Sequence, residues 1–277
     1  WHLNLYYSTK LTADSGSTKT TWLLNTNGVE KLYFYTQGIN PFHMDNETMI
    51  SILEKELLPQ LQSLESPVDE IEFYGAGCTV EKSVILKNIL QEIFPSAKSV
   101  IVGSDMLGAA KALFNNEPGI ACILGTGSNS CVYDGEKIVE NISPMGYILG
   151  DEGSGAVIGK TFLNCLYKGY HRDFINTFEK ETGLTLPDII NNVYRCPLPN
   201  RFLASLCPFI HSHLSEQWIE EMVIECFRKF FENNIKHYNS NLNIGFVGSV
   251  AFYFEEQLRK AAEKESSLIT KIMKEPL

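Results

Sequence analysis

Short runs in which apolar and polar residues alternate fill the first part of the chain after residue 10. A period of two is typical of β-strands that bury one face. Turns rich in Gly, Ser and Asn separate the runs, so together they predict an antiparallel meander. The predicted strands are Leu11–Ala13, Thr21–Asn25 and Lys31–Thr36. Residues 1–10 fit no element of this pattern, and we leave them out of the predicted fold as a segment that could be non-native.

Helical and strand-like segments alternate from about residue 48 onward. An apolar position every three or four residues predicts amphipathic helices, and short apolar runs between them predict strands. The predicted elements are a helix over Thr48–Leu64, a strand over Glu70–Tyr74, a helix over Val80–Ile93, a strand over Ser99–Val102 and a helix over Asp105–Phe114. Such an order of strands and helices is typical of an α/β domain.

A second series of elements begins after the turn-forming cluster Asn115–Gly119. Its predicted elements are strands over Ile120–Leu124, Cys131–Tyr133 and Lys137–Asn141, a helical stretch from Asp151 to about Tyr238, a strand over Asn243–Val247 and a helix over Phe252–Glu265. A chain of 277 residues also exceeds the usual size of one domain. We therefore predict an α/β fold of two domains, residues 1–118 and 119–277, with a helical insertion in the second.

Composition and charge limit the partners that this chain can have. Hydrophobic residues make up 44% and charged residues 20%, which is ordinary for a globular protein. The formal net charge of −10 argues against a nucleic-acid partner, because binding the phosphate backbone needs clustered Lys and Arg. ATP is still allowed, since backbone N–H groups and Mg²⁺ bind its phosphates locally. The sequence shows neither a secretory leader nor a membrane-spanning run, so we expect a cytoplasmic protein without a membrane partner.

Cysteine and histidine spacing gives no sign of a metal site. The seven cysteines are an odd number without a C-x-x-C pair, and the six histidines form no H-E-x-x-H pattern. This usage fits neither a disulfide framework nor a zinc site, so we expect buried, reduced thiols.

Two turns rich in Gly and hydroxyl residues follow predicted strands, Asp14–Thr18 in the first half and Gly125–Ser128 in the second. Glycine permits close backbone approach, and hydroxyls donate to phosphate oxygens. Asp14, at the end of a strand, is a candidate Mg²⁺ ligand. The first turn alone is more typical of an ordinary hairpin, and the second alone is a weak signal. Their equivalent positions favour a split nucleotide site, with the turns on opposite sides of a cleft.

The two turns resemble the phosphate-binding motifs of the superfamily that unites sugar kinases, actin and the heat-shock chaperone ATPases. Four further segments match it in order: Gln37–Pro41, Gly103–Asp105, Gly146–Ser154 and Gly245–Ser249. The long segment Gly146–Ser154 resembles the N-acetylglucosamine kinase group of the BadF/BadG ATPase family. The resemblance extends from Leu11 to about Ala262. It implies two ribonuclease H-like domains of the actin-like ATPase type flanking a cleft, with a helical insertion in the second.

The resemblance also implies an activity, the ATP-dependent phosphorylation of an amino sugar, most plausibly N-acetylglucosamine at its 6-hydroxyl, with Mg²⁺ as cofactor. Asp105 is the implied catalytic base, and Asp14 the implied metal ligand. The candidate sugar-binding residues are Asn40, Gly127, Ser128, Gly146 and Asp151. The candidate ATP-binding residues are Gly16, Ser17, Thr18, Lys19, Gly125, Thr126, Gly248 and Ser249. A homodimer is a further expectation from the family, and the family leads into a final helix near Lys274–Leu277.

Local structure offers a second interpretation of several candidates. Asp105 and Asp151 each precede a predicted helix and would serve as N-caps. Asn40 precedes Pro41, where turn formation explains it, and Gly248 occupies a strand-to-helix corner that needs no ligand. Two other functions also stay open: an ATPase that activates a dehydratase through a cysteine-bound iron–sulfur cluster, and a sugar or nucleotide sensor without catalysis.

Overall fold

The computed structural model describes residues 8–16, 19–26, 30–62, 67–169, 171–238 and 240–277. The chain forms two compact units. Unit 1 runs to Ala112 and includes Pro276–Leu277, and unit 2 covers Leu113–Glu275. Each unit contains one five-stranded sheet with both parallel and antiparallel pairs, which confirms the predicted α/β fold class.

The sheet of unit 1 has the strand order β3-β2-β1-β4-β5. Its strands are β1 Thr9–Ser15, β2 Lys19–Thr26, β3 Glu30–Gln37, β4 Glu70–Gly75 and β5 Ser99–Ser104. The first three strands pair antiparallel, as the predicted meander requires, and β4 and β5 continue the sheet in parallel. Thr9 and Lys10, which the sequence pattern left outside the fold, are the first residues of β1. Leu11 and Ala13 are buried on one face of β1, while Asp14 lies on the other.

Helices cover this sheet and complete the first core. They are α1 Asn46–Ile52, α2 Leu58–Leu61, α3 Val80–Ile93 and α4 Asp105–Phe114, with a π-helical segment over Leu53–Leu57 that joins α1 to α2. The predicted helix over Thr48–Leu64 is therefore continuous to Leu61, and Leu64 lies outside the described residues. Side-chain caps set the starts of two helices, since Asp45 accepts from Thr48 N and Thr79 accepts from Lys82 N.

The sheet of unit 2 has the order β10-β9-β6-β7-β8. Its strands are β6 Gly119–Leu124, β7 Ser128–Tyr133, β8 Ile138–Ile142, β9 Ile244–Val247 and β10 Ile269–Met273. β6, β7 and β8 form a second antiparallel meander, and β6, β9 and β10 run parallel. Five of the six residues of the central strand β6 are buried, which explains its continuous apolar sequence. The sequence pattern did not predict β10.

A run of helices between β8 and β9 forms the predicted helical insertion. These helices are α5 Gly146–Leu149, α6 Gly155–Lys168, α7 Ile175–Thr182, α8 Leu186–Tyr194, α9 Pro199–Ala204, α10 Cys207–Ser212 and α11 Gln217–Asn233. The helices α12 Ser249–Tyr253 and α13 Glu255–Lys264 follow β9. α11 anchors the insertion to the sheet, because its buried Phe230 and Phe231 contact the ring of Phe246 in β9.

Within the residues that the structure describes, no helix combines the length and the apolar character that crossing a membrane requires.

Candidate active site

Asp14 and Ser15 of the predicted turn Asp14–Thr18 belong to β1, so the first turn is the connection Gly16–Lys19 between β1 and β2. A hydrogen bond of 3.0 Å from Gly16 N to Lys19 O closes it. Ser17 and Thr18, two candidate ATP-binding residues, lie outside the described residues. The nearest described atom to a Cβ added at Gly16 would be Lys19 O, 3.7 Å away, which is an ordinary contact distance. The Lys19 ammonium lies 5.0 Å from the ring centroid of Tyr35, which places its charge at the edge of the sheet beside this turn.

Asp14 lies one residue before the strand end and faces away from the core of unit 1. It lines a cavity of about 180 Å³ together with Thr12, Tyr74 and Lys111. Carboxylate and hydroxyl oxygens are the ligands that Mg²⁺ takes in proteins, so Asp14 and the Thr12 hydroxyl fit such an ion chemically. Within this cavity, the Lys111 ammonium donates to the Tyr74 hydroxyl at 2.7 Å.

Asp105 is the first residue of α4, directly after β5. Ser104 supplies a capping bond, because its Oγ accepts from Leu107 N at 3.2 Å. The Asp105 carboxylate instead accepts from the neighbouring Met106 N at 2.8 Å. Burial raises the pKa of Asp105, and this hydrogen bond only partly opposes the increase. The helix start therefore has its own cap, and Asp105 is a carboxylate with enhanced basicity.

Cys78 lies near Asp105 and was not singled out from the sequence. Burial, followed by the negative charge of Asp105, raises the pKa of Cys78 to about 12. The thiol is therefore protonated at neutral pH. Its position follows from the loop between β4 and α3, and no spacing in the sequence predicts that this loop comes close to Asp105.

Asn40 follows β3 and forms the tight turn that its place before Pro41 suggests. Its Oδ1 accepts from Phe42 N at 3.0 Å, and its carbonyl oxygen accepts from His43 N and Met44 N. Gly77 packs directly against the side chain, since a Cβ added at Gly77 would lie 2.0 Å from Asn40 Oδ1. The turn thus fixes the orientation of the amide, and Oδ1 is the atom already engaged.

The second turn, Gly125–Ser128, joins β6 to β7 in unit 2 and contains a 3.0 Å bond from Gly125 N to Gly127 O. The start of α6 supports it: Gly155 N donates to Gly125 O at 2.8 Å, and Ala156 N donates to Thr126 O at 3.1 Å. The turn and the α6 N-terminus therefore form one hydrogen-bonded assembly. The N–H groups of Gly155 and Ala156 are bonded within this assembly, so they hold the turn in place.

Asp151 lies against the second turn, which joins two groups of candidates that are far apart in sequence. Its Oδ1 accepts from Ser128 N at 3.3 Å, and a Cβ added at Gly127 would lie 3.1 Å from its Oδ2. Burial raises the pKa of Asp151, the charge of Glu152 adds to the increase, and the bond from Ser128 opposes it. Ser154 caps α6 by accepting from Val157 N, so Asp151 is not that cap.

Left-handed backbone is concentrated in the segment that carries Asp151. Met145 has φ 60° and Asp151 has φ 52°, while Gly146 and Gly153 have φ 74° and 72°. Such conformations cost free energy in residues other than glycine and are enriched at functional sites. The candidate Gly146 therefore belongs to a loop with several left-handed residues. A Cβ added at Gly146 would meet no described atom within 4 Å.

Gly248 and Ser249 stand between β9 and α12, beside the second turn. Gly248 has φ 128°, and a Cβ added to it would lie 2.2 Å from Leu124 O, so no other residue fits without a shift of the backbone. Leu124 immediately precedes Gly125. Unit 2 therefore brings the candidates of the second turn and of this corner together, whereas the first turn, Asn40 and Asp105 belong to unit 1.

The cysteines in the described part of the chain are free thiols. Burial raises the pKa of Cys122 well above its ordinary value and that of Cys131 to about 12. Cluster ligation needs thiolates, and these two positions stabilise the neutral form instead. Among the described residues, no group of three or more His, Cys, Asp or Glu side chains is arranged to hold a metal ion.

Comparisons with known proteins give a consistent picture, although no protein-family model matches the chain. A crystal structure from Porphyromonas gingivalis, provisionally named an N-acetylglucosamine kinase, is 44% identical, with 96% of this chain and 95% of that chain covered and a TM-score of 0.89. A protein from Chromobacterium violaceum with the same provisional name is 16% identical over 96% of this chain and 94% of its own, with a TM-score of 0.69, and this likeness concerns the fold alone.

A curated relative agrees with these structures. The N-acetylmuramic acid/N-acetylglucosamine kinase of Clostridium acetobutylicum is 24% identical in an alignment of 217 residues that covers 72% of this chain and 68% of that protein. The fold class predicted from the two turns and the order of strands and helices is confirmed by the structural likeness. Given 44% identity over nearly the whole of both chains, the protein belongs to the N-acetylglucosamine kinase group of the actin-like sugar kinases.

Proposed function

We propose that this protein transfers the γ-phosphoryl group of ATP to an amino sugar, with N-acetylglucosamine and its 6-hydroxyl as the preferred acceptor. The observation that carries the proposal is the 44% identity to the Porphyromonas gingivalis protein along almost its entire length. Family membership supplies the reaction class, and the local geometry of each unit supplies candidate roles for individual residues.

Asp105 is the proposed catalytic base. Phosphoryl transfer to a hydroxyl requires a group that accepts the hydroxyl proton as the oxygen attacks phosphorus. A carboxylate with a raised pKa accepts that proton more readily than an ordinary aspartate. The capping of α4 by Ser104 supports this role, because the carboxylate of Asp105 is not required to start the helix.

Nucleotide-binding residues are proposed within each unit. Gly16 and Lys19 would contribute from unit 1, with Ser17 and Thr18 between them in sequence, and Gly125 and Thr126 would contribute from unit 2. Gly248 and Ser249 would adjoin the adenosine. Asp14, aided by Thr12, would hold Mg²⁺, which offsets negative charge on the transferring group when it is bound.

Asn40 in unit 1 and Asp151 in unit 2 are each proposed as a sugar-binding residue. Asn40 Oδ1 already accepts a backbone N–H, so its amide nitrogen is the group that would donate to a sugar oxygen. The Asp151 carboxylate would accept from sugar hydroxyls. Gly127, Ser128 and Gly146 belong to the same hydrogen-bonded loops as Asp151 or adjoin them, and would contribute backbone groups.

The test is ADP release from Mg·ATP measured against a panel of hexoses and amino sugars, with a sugar-free control. We expect stimulation by N-acetylglucosamine, and none by its 6-deoxy analogue, because that analogue lacks the attacking oxygen. Mass spectrometry should identify a sugar monophosphate. Asp105→Ala should abolish the stimulation, while Asp173→Asn, at an exposed position in unit 2, should retain it.

Other outcomes of that test separate the alternatives. ADP release that is indifferent to every sugar would contradict the kinase and favour an ATPase that activates another enzyme. Sugar binding in calorimetry without turnover would favour a sensor. The expected homodimer and cytoplasmic location stay predictions, which light scattering of the purified protein and cell fractionation would test.

A further inference from the structure

Two buried hydroxyl groups lie at the base of the first turn, and the proposed chemistry does not use them. Ser15 and Thr20 are opposite residues of the β1–β2 ladder, and their hydroxyl oxygens are 2.6 Å apart. Their exposed fractions are 1% and 0%. Buried hydroxyls carry a desolvation cost unless they are hydrogen-bonded, so the partners of this pair indicate what it does.

The partners belong to the segment that leads to Asn40. Ile39 N donates to Ser15 Oγ at 2.9 Å and to Thr20 Oγ1 at 3.2 Å, and Ser15 Oγ donates to Ile39 O at 3.0 Å. The β2–β3 ladder ends at Gln37, so the backbone of Ile39 lies beyond the last pair of strand residues. The two hydroxyls therefore bind the N–H and C=O groups of Ile39, which a neighbouring strand would otherwise bind.

The protons of the pair can be assigned without leaving a group unpaired. Thr20 Oγ1 also donates to Gln37 O at 3.1 Å, and that carbonyl accepts from Thr36 Oγ1 at 3.0 Å as well. The complete arrangement has Ser15 donating to Ile39 O and Thr20 donating to Ser15. Gln37 O then keeps the bond from Thr36, and Ile39 N has an acceptor. The network is therefore complete, which makes it rigid.

A loop confines Asn40 from another direction. Ala76 N donates to the carbonyl oxygen of Ser15 at 3.1 Å, which ties the loop after β4 to the same residue that holds Ile39. The next residue, Gly77, has φ 78° and lies so close to the Asn40 side chain that an added Cβ would not fit between them. Asn40 is thus held through its preceding residue by the hydroxyl pair and through its side chain by this loop.

We propose that Ser15 and Thr20 are positioning residues that fix Asn40 relative to the first turn, and so set the affinity for the sugar. The inference rests on the proposed function, in which Asn40 contacts the sugar. The bonds lost with the Thr20 hydroxyl go to Gln37 and Ile39, whereas the first turn keeps its own closing bond from Gly16 to Lys19. The sugar should therefore be affected more than the nucleotide.

The test compares Thr20→Val, which keeps the shape and removes the hydroxyl, with Thr20→Ser, which keeps the hydroxyl. We expect Thr20→Val to raise the KM for the sugar about tenfold, equivalent to ~1.4 kcal/mol, with less than about a twofold change in the KM for ATP. Thr20→Ser should stay within about twofold of wild type. Thr9→Val is the matched control, because it removes a buried hydroxyl from the opposite end of β1.

Three results would overturn the inference: an unchanged sugar KM in Thr20→Val, an equal increase in Thr9→Val, or failure of Thr20→Ser to restore the affinity. If Thr20→Val does not fold, as circular dichroism would show, Ser15→Ala removes the other hydroxyl and must give the same increase in the sugar KM. A wild-type protein that phosphorylates no sugar overturns the proposed function, and with it this inference. An active wild type with an unchanged Thr20→Val variant overturns the inference alone.

Discussion

The first and second turns resemble each other in sequence but are supported by different groups. Beside the first turn, the side-chain hydroxyls of Ser15 and Thr20 bind the backbone of Ile39, and the turn itself is closed by the bond from Gly16 N to Lys19 O. The second turn rests on backbone groups at the start of α6 and on the carboxylate of Asp151. Similar Gly-rich and hydroxyl-rich sequences can therefore be held in place by unrelated means, and substitutions should affect the two turns differently.

The carboxylates of the two units differ in the same way. Asp105 accepts a hydrogen bond from the residue that follows it in the chain, so its carboxylate is not tied to a distant element by that bond. Asp151 is bonded to Ser128, 23 residues earlier, and shapes the second turn. We expect Asp105 to act on the rate of the chemical step and Asp151 to act on binding.

The largest expected effect is the loss of the base. Asp105→Asn should lower kcat by ~100- to 10,000-fold, because an amide cannot accept the hydroxyl proton. The KM for the sugar should change little, and steady-state kinetics would measure both. If the kcat of Asp105→Asn stays within tenfold of wild type, Asp105 is not the base. The expected contrast, in which Asp105 acts on the rate and Asp151 on binding, would then be wrong.

A pair of alanine substitutions compares the supports of the two turns directly. Gly127→Ala should lower the free energy of unfolding by ~1–3 kcal/mol, because the added methyl meets the Asp151 carboxylate at 3.1 Å. Gly16→Ala should be neutral or should stabilise the fold by up to ~1 kcal/mol, because the added methyl lies 3.7 Å from Lys19 O, its nearest described atom. Urea unfolding would measure both variants. Equal losses would show that the turns do not differ in packing.

The raised pKa of Asp105 predicts a pH-dependent cost to stability. A carboxyl group with a higher pKa in the folded than in the unfolded state binds its proton more tightly when the protein is folded. Its contribution to the free energy of unfolding is therefore present at low pH and is lost as the pH rises through the folded-state pKa. Asp105→Asn should therefore have a higher Tm than wild type at pH 7. The difference should shrink below the unfolded pKa of about 3.9. A Tm difference that is independent of pH would contradict this cause.

The smallest expected effect concerns Thr9, whose hydroxyl is buried without a hydrogen-bond partner among the described residues. Thr9→Val should stabilise the protein by up to ~1 kcal/mol, since an unsatisfied hydroxyl is replaced by a methyl group of similar shape. Removing the bonded hydroxyl of Thr20 should instead destabilise it. Thermal unfolding of both variants would measure this contrast, and a loss of stability in Thr9→Val would contradict it.

Elements with strong local signals were predictable from the sequence. The alternation along β1 and the apolar run of β6 predicted their strands, because each depends on which faces are buried. β10 was missed: it is a five-residue strand with two exposed residues, and its pairing with β9 is a contact between elements that are separated by α12 and α13. Local patterns carry no information about such pairing.

The candidate site shows the same division. The roles proposed for Asp105 and Asp151 come from the family resemblance, and the sequence did not predict which residues cap the helices that follow them. Ser104 and Ser154, rather than the aspartates, accept the capping bonds in the structure. The close contact between Gly77 and Asn40 could not be predicted from the sequence either, because it depends on how two separate loops meet.

The left-handed backbone at Asp151 limits which residues can be exchanged there. Aspartate, asparagine and glycine tolerate a φ of 52°, whereas bulky or branched residues do not. Conventional alanine scanning at this position would therefore confound the loss of a carboxylate with a rearranged main chain. Asparagine is the informative replacement, because it preserves the local path of the chain and removes only the charge.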